Sequence, residues 1–180
     1  MNDAITDVEG VLVGHAGDFE AFTGCTAVVF RGVARGGVDI RGTASGTRQI
    51  DPISPLHLVG EVDAILLAGG SSFGLDAGGG VMSYLEEHGH GFDVSVTKVP
   101  SAPTAILFDL SFGNHRVRPD WKMGYAAAAA AKGGAVEQGS VGAGTGATVG
   151  KVYGIEHAMK GGIGTASVGL PDGLLVGALV

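Results

Sequence analysis

VDAILLAGGSSFGLDAGGGVMSYLEEHG, residues 62–89, is the stretch on which the fold turns. Residues 62–68 are an apolar, β-rich run closed by Gly69 and Gly70, the pattern of a strand buried on both faces. After the turn GGSSFG, Leu75, Val81, Met82 and Leu85 recur at helical spacing, and Gly89 stands where a helix would close. Gly78, Gly79 and Gly80 would weaken an isolated helix by about 1 kcal/mol each, so this one needs a neighbour packed closely against it. TAILFDL, 104–110, reads as the next strand. Strand, helix and strand in that order predict a right-handed crossover between parallel strands, and hence an α/β domain.

Working outward, GCTAVVF at 24–30 is a second buried strand, and the Gly-rich, charged stretch after it reads as a strand end and then a loop up to Pro52. Residues 55–60 have room for one helical turn. Pro119 and Asp120 open a second helix over 121–134, whose run from Ala126 to Ala131 has high helix propensity and almost no bulk. That helix can approach a partner very closely. Beyond it Gly-rich turns alternate with apolar runs, and the last, GLLVGALV, stops at Val180 in mid-strand. Exposed apolar strands are unusual domain ends, so residues 1–180 are expected to be one α/β domain that further chain completes.

Eighteen Asp and Glu against 11 Lys and Arg give a formal charge of -7, which opposes phosphate backbones. No nucleic-acid partner is expected. MNDAITDVEG carries charges where a secretory signal needs a basic and then an apolar run, and no apolar stretch approaches the length of a membrane span. A cytoplasmic protein without a membrane partner is the expectation. Cys25 is the single cysteine, and its strand context favours a small buried thiol.

Several motifs invite a chemical reading. Gly142, Gly144 and Ala147 satisfy G-x-G-x-x-G/A, but the motif comes late in the chain, after polar residues rather than a strand, and no phosphate-binding loop pattern is complete. Gly70 to Gly74 match G-x-S-x-G between a strand and a helix, which would make Ser72 a nucleophile, with Asp109 or Asp120 and then His157 completing the order Ser, Asp, His. Against this, no oxyanion segment precedes the turn. His88 and His90 lack the further ligands of a zinc set, so neither metal nor cofactor is expected. Asp39, Arg41, Arg48 and Asp51 form a charged cluster in a loop, most simply an ion-pair network. Lys151 directly follows the densest glycine segment, where desolvation could lower its pKa and let it trade protons; an exposed turn lysine is the plainer alternative.

Taken together, ITDVEGVLVGH, GGVDIRG with GTR, LLAGGSSFGLDA, VRPDWKMGYAAA, VGAGTGATVGK and ASVGLPDGLLVGALV resemble the DmpA-like aminopeptidase/esterase family, in order and spacing from Ile5 to Val180. The nylon-oligomer hydrolases belong to that family, and ornithine acetyltransferase shares its general fold. The resemblance implies an αββα sandwich, mixed sheets flanked by helices, made as a precursor that cuts itself before a Ser or Thr. The smaller fragment then carries the nucleophile, and its free α-amine serves as the base. This chain matches the larger fragment. Neither the cut site nor the Asn-containing segment that supplies the family's oxyanion donor is in this sequence.

Residue by residue, the resemblance makes Lys151 the supporting cation beside the nucleophile. It places Ser71, Ser72, Phe73 and Phe108 around the substrate, with Phe108 where the nylon-hydrolase branch carries Tyr. Gly142, Gly144, Thr145 and Gly146 form the active-site loop. The implied activity is hydrolysis of a small peptide or an amino-acid amide or ester, by a tetramer-like homo-oligomer. A serine hydrolase using Ser72, a non-catalytic assembly subunit and an acyltransferase of the same fold are the alternatives.

Overall fold

A computed structural model describes residues 2–57 and 60–180. In chain order the strands are β1 (Val11–Asp18), β2 (Thr23–Arg35), β3 (Thr47–Arg48), β4 (Glu61–Ala68), β5 (Phe92–Asp93), β6 (Lys98–Val99), β7 (Thr104–Ile106), β8 (Thr148–Val149), β9 (Met159–Lys160), β10 (Thr165–Gly169) and β11 (Leu175–Leu179). Two helices, α1 (Ala77–Glu87) and α2 (Trp121–Ala129), complete the set with several short 3-10 turns. The turn expected over 55–60 falls partly outside the described residues; the observed 3-10 turn spans Asp51–Ile53.

The main sheet runs β1-β2-β4-β7-β3 and is mixed: β4 and β7 are parallel, as the crossover pattern predicted, and the other pairs are antiparallel. Its helix-facing side holds Cys25, Ala27 and Val29 of β2 and Ala64, Leu66 and Ala68 of β4, packed on Val81 and Leu85 of α1 and Ala127 and Ala128 of α2. Burial there pushes the Cys25 thiol up to about 12, which keeps it protonated. The opposite side is covered by other means. Val13 and Val28 meet Ile5, Val8 and Leu179, while Leu67 packs on Val141, Ala143 and Ile163. The β10–β11 hairpin thus reaches this side of the sheet through Leu179.

Residues 62–68 are not buried on both faces, as the apolar run suggested. Burial alternates, with Val62, Ala64, Leu66 and Ala68 inward and Ile65 38% exposed. The strand expected over 104–110 is also shorter. Pairing continues only as far as Leu107, whose N–H donates to the Ala68 carbonyl (2.9 Å), after which the chain turns inward to bury Asp109.

Helix α1 ends as its sequence predicted. Gly89 is left-handed (φ 75°), its N–H donates to the Glu86 carbonyl, and the His90 N–H donates to that of Leu85, the paired bonds of a Schellman stop. Asp120 caps α2, its carboxylate accepting the Met123 N–H at 2.9 Å. That helix stops at Ala129 rather than 134, because Lys132 exchanges both backbone bonds with Val13. The helices cross almost backbone to backbone. A Cβ at Gly80 would collide with the Trp121 carbonyl, and one at Gly124 with the Ala77 carbonyl.

Candidate active site

Asp109 is the junction of the site. It is 2% exposed, and its carboxylate accepts the Gly70 N–H and the Thr23 hydroxyl, both at 2.7 Å. A buried carboxylate survives only when its lone pairs are satisfied in this way. The same side chain fills the space beside two glycines: a Cβ at Gly146 would lie 2.6 Å from the Asp109 Cβ, and one at Gly69 would overlap its carboxylate. Asp109 therefore holds the strand-to-helix turn at 69–71 against the loop at 142–146. Two of the predicted groups of site residues meet here.

The loop is a buried 3-10 turn, Gly142–Thr145, laid across β1 and β2. Gly142 has a positive φ of 52° and no space for a Cβ, which would meet the Thr26 hydroxyl and the His15 ring. Thr26 pins the turn: its Oγ1 accepts the Ala143 N–H at 3.0 Å and lies 2.9 Å from His15 Nδ1. Burial holds the His15 imidazole below its ordinary pKa, opposed by the Glu137 carboxylate. Thr145 Oγ1 is buried without a hydrogen-bond partner. No helix follows the turn, so the glycine spacing at 142–147 serves close packing rather than a dinucleotide cradle.

Two lysines flank this loop. Residues 148–160 form an excursion whose stem is β8 paired with β9, Thr148 opposite Lys160. Lys151 lies beyond the stem in an exposed 3-10 turn and donates to Thr148 Oγ1 at 2.9 Å. Lys160 lies at the stem itself, with its ammonium on the carbonyls of Gly144 (3.1 Å), Thr145 (2.8 Å) and Ala147 (3.2 Å). Desolvation there lowers its pKa, with a smaller upward pull from Asp109. The sequence reading passed over Lys160. Its signal was present in the Gly-Gly pair that follows it, but the pairing that returns it to the loop is visible only in three dimensions.

Ser71, Ser72, Phe73 and Phe108 border the junction. Gly70 and Ser71 both have positive φ (80° and 53°), and Ser71 N–H donates to the Leu107 carbonyl at 3.0 Å, which sets Phe108 beside the turn. Phe73 and Phe108 are 58% and 51% exposed. Ser72 makes no hydrogen bond to a histidine among the described residues, Asp109 is committed to Gly70 and Thr23, and Asp120 caps a helix. The Ser, Asp, His order thus has no geometry behind it. His88 bonds the Tyr84 carbonyl at 2.7 Å, and among the described residues no group of three or more His, Cys, Asp or Glu could hold a metal. In the charged loop cluster Arg41 pairs with Asp39 at 2.7 Å, whereas Arg48 reaches away to the Leu75 carbonyl. No helix among the described residues is long and apolar enough to cross a membrane.

The chain is 42% identical to an aminopeptidase of Mycobacterium leprae, itself uncharacterised, over 99% of its own length and 51% of the relative's. It is 38% identical to a 6-aminohexanoate-oligomer endohydrolase of a Kocuria species, over 81% of its own length and 39% of the relative's. Among solved structures, the L-aminopeptidase D-Ala-esterase/amidase of Ochrobactrum anthropi, described as a variant of the N-terminal-nucleophile hydrolase fold, superposes with a TM-score of 0.76 at 20% identity. That superposition covers 99% of this chain and 52% of the other, and it establishes the expected α/β fold type. The chain spans about half the length of the M. leprae relative. Residues 3–180 match the profile of Peptidase family S58, and the chain belongs to that family.

Proposed function

We propose that this chain is the larger part of a self-processed N-terminal-nucleophile amide hydrolase of the aminopeptidase type. It acts on small peptides or on amino-acid amides and esters, in the cytoplasm and as a homo-oligomer. The observation that carries this reading is the Asp109 junction, where one buried carboxylate locks the 69–71 turn to the 142–146 loop with Lys160 on the loop's carbonyls. The relatives named as an aminopeptidase and as a 6-aminohexanoate-oligomer endohydrolase support an amide substrate.

In this scheme a Ser or Thr at the start of a smaller fragment supplies the attacking hydroxyl, and its α-amine takes the proton. The acyl-enzyme that forms is released by water. This chain's residues shape and charge the site. Lys160 is the better placed of the two lysines to assist, since desolvation lowers its proton affinity next to the loop. Lys151, at the exposed turn, acts only if the remaining chain folds over it. Phe73 and Phe108 offer apolar walls to the substrate.

The test is made on the full-length protein. Intact mass should reveal two species, the smaller beginning with Ser or Thr. Lys160→Ala should lose at least tenfold in turnover of an amino-acid p-nitroanilide, and more than Lys151→Ala. A single uncut species with full activity, or a fully active Lys160→Ala, refutes the proposal.

A further inference from the structure

Against the 69–74 turn lies a cleft of about 660 Å³. Its lining is distinctive for so acidic a chain: three of the 11 basic residues, Arg48, Arg116 and Arg118, face the same space. None of the three is in an ion pair among the described residues, where the pairs are Arg41 with Asp39 and His157 with Glu156. Two are nonetheless held in place. Arg118 lies over the Phe73 ring, its guanidinium carbon 3.9 Å from the ring centroid, and Arg48 donates one N–H to the Leu75 carbonyl at 3.2 Å.

A guanidinium has five N–H donors in a planar fork that matches a carboxylate. Stacking on an aromatic face orients that fork without using its donors. Arg118 is therefore pre-set for an anion. The cleft also contains Asp76 and Asp120, but Asp120 is engaged in capping α2, so cation exceeds free carboxylate. The cleft is continuous with the 69–74 turn, since a Cβ on Gly70 would stand 3.0 Å from Pro119 and 3.2 Å from Arg118. Whatever occupies it lies next to Ser72 and Phe73.

We infer that this cleft is a subsite for a carboxylate on the leaving-group side of the substrate, such as the free C-terminus of a dipeptide. The inference rests on the amide-hydrolase reading and narrows it: the preferred substrates are short peptides with a free carboxylate rather than their amides. An arginine fork holding that carboxylate would anchor the scissile amide at one end, and charge-assisted pairing would discriminate against a neutral terminus.

The experiment compares three substrates sharing one acyl residue, on the full-length protein: a dipeptide, its C-terminal amide and the p-nitroanilide. The wild type should favour the dipeptide over its amide at least tenfold in kcat/KM. Arg118→Ala and Arg116→Ala should shrink that ratio toward one, mainly through KM, and Arg118→Lys should fail to restore it. A measurement on wild type alone guards against misfolded variants: the free leaving amino acid should inhibit p-nitroanilide turnover at least tenfold more strongly than its amide. If the p-nitroanilide is cleaved but dipeptide and amide are equivalent, or if the arginine variants keep the wild-type ratio, the subsite is refuted while the hydrolase stands. If none of the three is cleaved, both fall.

Discussion

Gly79 and Gly80 are adjacent in α1, yet alanine at the two positions should move stability in opposite directions. At Gly79 the added methyl would sit 3.4 Å from Trp121 Cδ1, an ordinary contact. The substitution then keeps the helix-propensity gain, about 1 kcal/mol of stabilisation. At Gly80 the methyl would overlap the Trp121 carbonyl and lie 2.6 Å from the Tyr125 nitrogen. Both are backbone atoms of α2, and α2 is itself pinned by its cap and by the Lys132–Val13 bonds. Relief requires moving a helix, so overpacking of about 1–3 kcal/mol or more outweighs the same propensity gain. Urea unfolding of the full-length protein should place the Gly79→Ala midpoint at or above wild type and the Gly80→Ala midpoint clearly below. The propensity gain is common to both variants and cancels, so their separation should equal the overpacking cost, about 1–3 kcal/mol or more. Equal midpoints would refute the close-crossing account of this helix pair.

Asp109→Asn keeps the shape of the junction but puts an amide where two acceptors are needed, and a buried unpaired donor or acceptor costs about 1–3 kcal/mol. Thermal unfolding should shift down accordingly, and turnover should fall because the 69–71 turn loses its anchor; an unchanged melting temperature and rate would contradict the junction role. His15 sets a pH dependence whose sign is fixed by its lowered folded pKa. The unfolded chain takes up the proton first as pH falls through about 6.5. Stability is therefore full above that value and declines below it, and His15→Gln should flatten this part of a stability–pH profile.

Much of the scaffold was legible because it rests on local rules. The helix at 77–87 announced itself by apolar spacing and by Gly89, and the Ala-rich helix by Asp120 and its lack of bulk. What failed depended on contacts between distant segments. An apolar run does not say which face will be covered, so the alternation at Ile65 was hidden. Asp109 read as a strand residue or a triad acid, since nothing near it in sequence signals the Gly70 and Thr23 donors. Lys160 was not singled out at all, because only the β8–β9 stem returns it to the 142–146 loop. The arginine cleft was equally invisible, as Arg48 and Arg118 belong to segments 70 residues apart.

The Asp109 clasp also bears on timing. Its two donors stand 86 and 39 residues away along the chain, so during synthesis neither is in reach until β2, β4 and β7 have aligned. Before that moment the carboxylate stays hydrated and the two turns wander independently. Under the proposed self-processing, any reactivity that relies on their juxtaposition is withheld from the nascent polypeptide until the two turns meet.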